Sequence, residues 1–362
     1  MRVGVVFGGR SVEHLVSVRS ARTVVEGVGA AGHDVVPVYV DEAGCFHDAA
    51  TSAGVLQAQR ALATGPSRPA QSLRHLVDAG LDVVFPIIHG THGEDGTLQG
   101  MLEMLDLPYV GCATTASAVA MDKLLSKRLF AAAGIPVVPW AAVTRSEFER
   151  RGVDGVRGFV EGEALPLFVK PAVGGSSVGC VKVKTREALS EAVAFALRFD
   201  EVALIERGVV AREVEIAVLG ADASTMAASV PGEIVPGGDF YDYADKYLKD
   251  DARLLAPAPV DAATTATLQQ QAIAAMAAIG GAGLARVDFF LLADGTVYLN
   301  EINTLPGFTS VSMYPRLWAL SGVPLPALCD RLVRLAVERR ERRAHIDASL
   351  RAFVAGAAAG RT

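Results

Sequence analysis

Residues 286–307 read RVDFFLLADGTVYLNEINTLPG, and this stretch predicts a β-hairpin. An apolar run of strand length, the turn signal ADG, and a second run of β-branched and apolar residues follow one another. Antiparallel pairing through that turn would set Asp288, in the first strand, beside Glu301, in the second. Asn303 lies two residues beyond Glu301 and therefore shares its face of the strand.

The oxygen-bearing side chains of this hairpin predict a metal site. Two carboxylates and an amide oxygen form a hard donor set, of the kind that Mg²⁺ accepts alongside substrate phosphates. The alternative is a solvated hairpin with scattered acids. Because these acids are embedded in apolar strands, where an unpaired charge is costly, the metal site is favoured.

The composition limits the class of protein. A chain of 362 residues with 51% hydrophobic and 20% charged residues is typical of a compact protein of two or three domains. The net charge of −6 argues against a nucleic-acid partner. The four cysteines show no metal-ligand or redox spacing, which favours reduced thiols. The apolar N-terminal run is too short for a signal peptide and no stretch reaches membrane-span length, so we expect a soluble, cytoplasmic protein.

The N-terminal part of the chain alternates between predicted strands and helices, a pattern typical of an α/β parallel sheet. Strands are predicted at residues 3–7, 35–40 and 83–88. Ligands gather at the carboxyl ends of such strands, where Glu13 and His89 lie. Glu13 could hold an ammonium group or complement a helix dipole, and His89 could bind a ligand or be structural. Glu94 and Asp95 are expected to cap the next helix.

Two lysines in the middle of the chain are candidate phosphate ligands. Lys123 lies in the first turn of a helix predicted at 121–134, where a phosphate would compensate a cation that opposes the dipole. A solvated lysine is the alternative. Lys170 is carried by a strand and followed by the loop GGSSVG at 174–179, whose N–H groups and hydroxyls suit phosphate oxygens. The second strand is expected to resume at about Val178, and an ordinary hairpin with a flexible tip is the alternative.

Three further segments complete the set of candidates. A strand ending at Glu206 and the connector after it could present a carboxylate and backbone groups to a purine. The long loop at 232–251 is rich in aromatic and charged residues and predicts a lid rather than disorder, with Lys246 and Tyr247 best able to reach a substrate. The loop at 307–315 offers N–H groups before a closing helix.

These separated segments together resemble the ATP-grasp superfamily, and most closely the D-alanine–D-alanine ligase family. The resemblance covers nearly the whole chain. It rests on GGRSVEH at 8–14, HGTHGEDG at 89–96, MDK at 121–123, VKP at 169–171, GSSVG at 175–179, YDY at 241–243, KY at 246–247 and EINTLPGFT at 301–309. It implies an ATP-grasp fold, α/β and α+β, with an N-terminal Rossmann-like parallel-sheet domain and two α+β lobes that grip ATP.

The resemblance also implies domain boundaries and a role for each site residue. The domains would be 1–115 with the first D-alanine site, 116–210 with the phosphate loop 174–179, and 211–362 with the lid 232–251 and the metal hairpin 286–307. ATP would be bound by Lys123, Lys170, Ser176, Ser177, Glu206, Val209, Glu213, Lys246 and Phe290. Two Mg²⁺ or Mn²⁺ ions would be held by Asp288, Glu301 and Asn303. The first D-alanine would be bound by Glu13 and His89, with Ser176 and Tyr247 connected to Glu13. Arg286 and the Gly307 N–H would stabilise an oxyanion, and Ser312 and the Met313 N–H would receive the second D-alanine.

The implied activity is ATP-dependent ligation of two D-alanines through an acyl phosphate, for peptidoglycan precursor synthesis, by a cytoplasmic homodimer. A rival within the family is a D-alanine–D-lactate or D-alanine–D-serine ligase of the vancomycin-resistance type. Tyr247 in the lid and the apolar Met313 favour the dipeptide. A non-catalytic nucleotide-binding protein is a rival of another class, but it would be expected to lose a metal ligand or a phosphate lysine, and all are present.

Overall fold

The computed structural model describes residues 1–62, 65, 67–236 and 253–358. Lys246 and Tyr247, with most of the predicted lid, lie outside the described residues. The prediction of a loop from residue 232 is wrong at its start, because Gly232–Val235 is a strand. Its residues pair with a long neighbouring strand, with Ile234 opposite Glu213, so their backbone groups are satisfied by a sheet rather than by a loop.

The N-terminal segment alternates between strands and helices, as predicted. Its elements are β1 (Arg2–Gly8), α1 (His14–Ala30), β2 (Asp34–Val40), α2 (Ala49–Ala58), α3 (Pro69–Ser72), α4 (Arg74–Val77), β3 (Val83–Pro86), α5 (Thr97–Met104) and α6 (Thr114–Met121). The strands form a parallel sheet in the order β2-β1-β3. All but the first residue of β1 are buried, as expected for an apolar parallel strand covered on both faces. Because β1 lies between β2 and β3, the carboxyl ends of β1 and β3 are neighbours, and the residues that follow them meet there.

The middle segment is an antiparallel sheet with helices. Its elements are α7 (Lys123–Ala132), β4 (Trp140–Thr144), α8 (Arg145–Arg151), α9 (Arg157–Gly162), β5 (Leu167–Pro171), β6 (Val181–Val183), α10 (Leu189–Ala196) and β7 (Val202–Arg207). The strand order is β4-β7-β5-β6. The strand after the phosphate loop begins three residues later than predicted. Ser176 and Ser177 adopt left-handed φ values of 54° and 57°, which keep this part of the chain in a turn.

The helix predicted at 121–134 is α7, which begins at Lys123, two residues later than predicted, because Asp122 separates it from α6. The side chain of Asp122 accepts hydrogen bonds from the N–H groups of Leu124 and Leu125 and so caps α7. Lys123 is consequently the first residue of α7, at the end of the helix that carries partial positive charge.

The C-terminal segment is built on a larger antiparallel sheet. Its elements are β8 (Ala211–Gly220), β9 (Ala227–Ala228), β10 (Gly232–Val235), β11 (Arg253–Leu255), α11 (Ala262–Ala278), β12 (Gly283–Leu292), β13 (Val297–Asn303), α12 (Met313–Leu320) and α13 (Leu325–Ala358). The strand order is β11-β10-β8-β12-β13, and β9 pairs with β8. Three separate sheets thus correspond to the three predicted regions, whereas the boundaries at 115 and 210 stay a prediction.

The two ends of the chain share one hydrophobic core. Helix α13 packs on α1, and Val24 and Val28 belong to the same buried cluster as Leu328 and Leu332. This contact brings the loop after β13 against α1, where the Phe308 N–H donates to Ser20 Oγ. The cleft between the sheets is therefore lined from both ends of the chain. Among the described helices, none combines the length and apolar character needed to cross a membrane.

Candidate active site

The predicted hairpin forms with the predicted pairing. In the ladder between β12 and β13, Asp288 lies opposite Glu301 and Arg286 lies opposite Asn303. Alternate residues of β12 are buried beneath the sheet, and Arg286, Asp288 and Phe290 share the other face. The turn signal and the apolar periodicity bring the two strands together, but a regular ladder through this turn would place Asp288 opposite Asn300, so its pairing with Glu301 needs a shift of one residue.

A β-bulge in β13, which the sequence reading missed, adds one more residue to this face. Phe289 pairs with Leu299, so Asn300 is the extra residue between that pair and the pair of Asp288 with Glu301. Asn300 and Glu301, although consecutive, both line the cleft. The signal was present in the sequence, because the apolar positions run 297, 299 and then 302, a break in strict alternation.

Arg286 is held between two carboxylates. Its Nε and Nη2 atoms each lie 2.7 Å from an oxygen of Asp288, a bidentate pair, and Nε is 3.1 Å from Glu215 Oε1. Burial alone would lower the pKa of Arg286, but the two carboxylates outweigh it and raise the pKa well above its ordinary value. Glu215 comes from β8, directly opposite Asp288, and the sequence reading missed it because this strand pairing is not local.

The donor chemistry of this face fits a hard divalent cation. Asn303 Nδ2 donates to Asp288 Oδ2 at 2.9 Å, and Lys123 Nζ lies 3.8 Å from Glu301 Oε2. Within the described residues, no group of three His, Cys, Asp or Glu side chains that could hold a metal is found. Asp288, Glu301 and Asn303 are therefore an incomplete shell that phosphate oxygens and water would have to fill, which is the usual situation for Mg²⁺.

A cavity of about 540 Å³ lies between the middle and C-terminal sheets, within the size range of small-molecule sites. It is lined by all of the predicted nucleotide ligands that the structure describes: Lys123, Lys170, Ser176, Ser177, Glu206, Val209, Glu213 and Phe290. Lys123 Nζ donates to the carbonyl of Gly174 at 2.5 Å, so it also contacts the phosphate loop. The remaining predicted ligand, Lys246, lies outside the described residues.

Glu206 is the centre of a buried ion-pair cluster in this region. Its Oε2 is 2.7 Å from Lys170 Nζ, and its Oε1 is 2.8 Å from Lys127 Nζ. Burial alone would raise the pKa of Glu206, but the two ammonium groups outweigh it and lower the pKa to about 2. The sequence reading missed Lys127, although its spacing of four residues from Lys123 sets both on one side of α7.

A second cavity, of about 280 Å³, adjoins the first. It contains the described residues predicted to bind or activate the amino acids, except Met313: Glu13, His89, Ser176, Arg286, Gly307 and Ser312. The two cavities share Lys123, Gly174, Gly175, Ser176, Glu213, Asn300 and Glu301 as lining residues. A small polar cavity thus opens directly onto a nucleotide-sized cavity, at Lys123 and the loop 174–176.

His89 is held firmly at the end of this smaller cavity. Its Nε2 lies 2.8 Å from Ser20 Oγ and its Nδ1 lies 2.9 Å from the Leu305 carbonyl. Glu94 Oε1 is 3.6 Å from Nδ1. Burial would lower the pKa of His89, but Glu94 and Glu13 outweigh it and raise the pKa. Ring position and charge are therefore both set by the surrounding protein.

The expectation that Glu94 and Asp95 both cap a helix is wrong for Glu94. Asp95 accepts hydrogen bonds from the N–H groups of Thr97, at 3.0 Å, and His92, at 2.7 Å, and so stabilises the start of α5. Glu94 instead turns inward and lines the smaller cavity, and burial raises the pKa of its carboxyl. The charged partner that draws it inward, His89, could not be identified from local sequence.

The loop after the hairpin supplies the far wall of the smaller cavity. Ser312 Oγ accepts from the Thr309 N–H at 2.9 Å, and a Cβ at Gly307 would lie 3.0 Å from this oxygen. The side chain of Met313 is buried in the core and does not line the cavity, so its backbone N–H at the start of α12 is the group available to a ligand.

Comparisons with known proteins agree with this geometry. Residues 2–112 match the family model described as "D-ala D-ala ligase N-terminus", and residues 129–334 match "D-ala D-ala ligase C-terminus". The chain belongs to the D-alanine–D-alanine ligase family. The D-alanine–D-alanine ligase of Geobacillus thermodenitrificans (strain NG80-2) is 44% identical over 353 residues, which cover 94% of this chain and 96% of that protein.

Solved structures of this family share the fold. The D-alanine–D-alanine ligase from Coxiella burnetii superposes with a TM-score of 0.83 at 35% identity, covering 98% of this chain and 99% of that one. The VanG D-Ala:D-Ser ligase from Enterococcus faecalis superposes with a TM-score of 0.79 at 32% identity, covering 92% and 99%. The predicted family and ATP-grasp fold are thereby confirmed.

Proposed function

We propose that this chain joins two D-alanine molecules into D-alanyl-D-alanine and converts ATP to ADP and phosphate in the same cycle. One observation carries the proposal. The nucleotide-sized cavity and the smaller cavity meet at Lys123, Ser176 and Glu301, where a γ-phosphate and an amino-acid carboxylate would come together. The size of each cavity and the charges at the junction suit a carboxylate–amine ligase.

The first step activates a carboxylate, which is a poor electrophile on its own. A carboxylate oxygen of the first D-alanine attacks the γ-phosphorus of ATP, the bond to ADP breaks, and an acyl phosphate results. Lys123 and Lys170 offset the charge of the phosphates, because this chemistry depends chiefly on positioning and electrostatics. Bound Mg²⁺ or Mn²⁺, two ions held by Asp288, Glu301 and Asn303, would neutralise phosphate charge further.

The second step forms the peptide bond. The amine of the second D-alanine, in its neutral form, attacks the acyl carbon, the phosphate leaves with the bridging oxygen, and the nitrogen gives up one proton, which the departing phosphate can accept. The intermediate carries an oxyanion, for which Arg286 and the Gly307 N–H are the donors. Such donors contribute about 3–4 kcal/mol each in other enzymes. Asp288 and Glu215 contact Nε and Nη2 of Arg286, which leaves its Nη1 group for this role.

The polar ends of the smaller cavity suit the two amino acids. Glu13 is proposed to bind the ammonium of the first D-alanine, with His89 beside it, because a carboxylate and an ammonium attract at short range. Ser312 and the Met313 N–H, at the start of α12, are proposed to receive the carboxylate of the second D-alanine. Tyr247 would close this site from the lid.

The rival activities, ligation of D-alanine to D-lactate or D-serine, differ from the proposed one only in the second substrate. Among the solved structures the D-alanine–D-alanine ligase is 35% identical to the chain and the D-Ala:D-Ser ligase 32%, while the sequence relatives named D-alanine–D-alanine ligase reach 44%. The buried apolar Met313 adds no cation to the second-substrate end. We further propose a cytoplasmic homodimer that serves peptidoglycan precursor synthesis, with the three domains given above.

The test is a competition between second substrates. The purified chain is given ATP, Mg²⁺ and a mixture of D-alanine, D-lactate and D-serine, and the products are identified by mass. D-alanyl-D-alanine is expected to dominate. A predominance of the depsipeptide or of D-alanyl-D-serine, or nucleotide hydrolysis without any ligation product, would overturn the proposal.

A further inference from the structure

Lys127 is a buried lysine that no step of the proposed reaction uses. Only 1% of its side chain is exposed, and it lines neither of the two cavities described above. It is carried by α7, one turn after Lys123. One helix therefore presents one ammonium group to the phosphate end of the cleft and seals a second beneath the nucleotide cavity.

The only carboxylate with which Lys127 makes an ion pair among the described residues is that of Glu206. The carboxylate of Glu206 is shared with Lys170, one lysine on each oxygen, at 2.8 Å and 2.7 Å. The two lysines differ in access, since Lys170 lines the nucleotide cavity and Lys127 does not. A buried charge is tolerated only when it is paired. Glu206 therefore has one counter-ion that a ligand can reach and one that it cannot.

This difference matters when a nucleotide binds. A triphosphate attracts the Lys170 ammonium, which then no longer compensates Glu206 fully. Without Lys127, the buried Glu206 would regain its charge balance most readily by taking up a proton. A carboxylate only accepts hydrogen bonds, whereas a protonated carboxyl also donates one. The protonation state of Glu206 thus decides whether it meets an amino group or a carbonyl oxygen on the base.

We propose that Lys127 is a positioning residue that keeps Glu206 an ionised acceptor while Lys170 turns to the phosphates, and so sets the preference for a 6-aminopurine over a 6-oxopurine nucleotide. The inference rests on the proposed function, since it takes Glu206 as the residue that faces the base. Although burial alone would raise the pKa of Glu206, the two lysines hold that pKa at about 2, which agrees with an acceptor-only carboxylate.

The test compares ATP with ITP, which carries a 6-oxo group and an N1–H in place of the 6-amino group and the acceptor N1 of ATP. Lys127→Met keeps the length of the side chain and removes its charge. In this variant the ratio of kcat/KM for ATP to that for ITP is expected to fall about tenfold, the difference between a charged and a neutral acceptor. The lower ratio should result from a higher KM for ATP, while kcat changes less than threefold and the KM for D-alanine stays unaltered.

A double-mutant cycle separates this role from general support of the fold. In a Glu206→Gln background there is no carboxylate to keep ionised, so adding Lys127→Met should leave the ATP to ITP ratio unchanged. A merely structural Lys127 would instead shift stability and every kinetic constant in both backgrounds. An unaltered ratio in a folded Lys127→Met protein overturns the proposal.

A second measurement keeps the proposal testable if Lys127→Met does not fold. Infrared difference spectra with and without ATP are recorded for the unaltered chain and for Glu206→Gln. ATP binding to the unaltered chain should produce no protonated-carboxyl band that is absent from the Glu206→Gln spectrum. Such a band would overturn the proposal. Calorimetric measurement of ATP and ITP binding without D-alanine tests the role of Lys127 separately from the proposed ligation. A chain that binds ATP over ITP but makes no dipeptide refutes the proposed ligation, while the ratio still reports on Lys127.

Discussion

Two charge clusters in the cleft have opposite balance. The base cluster, Lys127, Lys170 and Glu206, sets two ammonium groups around one carboxylate, at 2.8 and 2.7 Å. The hairpin cluster is Arg286 with Asp288 and Glu215. Here one guanidinium meets two carboxylates, at 2.7 and 3.1 Å. Both clusters include residues of neighbouring strands, and the first adds Lys127 from helix α7, yet one carries an extra cation and the other an extra anion.

The difference suits the two ends of one substrate. A cluster with a spare cation can lend an ammonium group to phosphates and still leave its carboxylate paired. A cluster with a spare anion, next to Glu301 on the same face, favours the approach of divalent cations. Under the proposed function, the first cluster would recognise the nucleotide and the second would gather the ions, so variants of each cluster should fail in different ways.

The largest effect is expected from Glu301→Gln, which removes a negative charge next to the Arg286–Asp288–Glu215 cluster. The amide retains the size of the side chain but removes the charge that would hold a cation. Turnover, measured as ADP release with saturating D-alanine and Mg²⁺, should fall at least about 10²–10³-fold. Thermal unfolding should stay close to that of the parent protein. Full turnover at ordinary Mg²⁺ concentrations would contradict the metal assignment.

Asp294→Asn is the matched control for this variant. Asp294 lies in the turn of the same hairpin, where its carboxylate accepts from the Thr296 N–H at 2.9 Å. It is outside both cavities. Loss of turnover in this control would show that any charge change in the hairpin disrupts the site, and the effect of Glu301→Gln would lose its meaning.

Low pH should lower the stability of the folded protein through the cluster of Lys127, Lys170 and Glu206. The pKa of Glu206 is about 2 in the folded protein, against an ordinary value of 4.5. A lowered carboxyl pKa contributes stability above about pH 4.5, and this contribution is lost as the pH falls towards 2. Over that window the free energy of unfolding should drop by about 3 kcal/mol from this group alone. Urea unfolding measured against pH should show a shallower drop in Glu206→Gln, and equal slopes would contradict the ion-pair assignment.

Lys170→Met should damage nucleotide binding rather than folding. Lys127 still pairs with Glu206 in this variant, so the carboxylate is not stranded. The loss of one charged contact to phosphate should lower kcat/KM for ATP about 10- to 100-fold. Initial rates at varied ATP concentration measure this change. If Lys170→Met lowered the melting temperature strongly but left ATP binding by the folded protein unchanged, the roles given to the two lysines would be reversed.

The smallest effect is expected at the bulge. Asn300 lines both cavities, and Asn300→Ala removes its amide but leaves the backbone of the bulge in place. The KM for ATP should rise a few-fold, on the scale of one neutral hydrogen bond. Steady-state kinetics at fixed D-alanine would show it. A loss as large as that of Glu301→Gln would mean that Asn300 belongs with the metal ligands.

The two clusters also differ in how much of each could be predicted from the sequence. Asp288, Glu301 and Asn303 could be assigned to one hairpin because a turn signal and a period of two residues are local patterns, whereas the pairing of Asp288 with Glu301 depends on the bulge. The bulge at Asn300 and the strand partner Glu215 depend on pairings that local patterns do not contain. Lys127 had the form of an ordinary helical lysine, and only the tertiary structure shows that it is buried beside Glu206 of β7.

The central claim is that a D-alanine carboxylate is activated by direct transfer of phosphate at the junction of the two cavities. D-alanine whose carboxylate is labelled with oxygen-18 tests it most directly. The account predicts that each phosphate released during dipeptide synthesis carries one labelled oxygen, because that oxygen becomes the bridge of the acyl phosphate and departs with the phosphorus. Phosphate free of label, formed together with dipeptide, would contradict it.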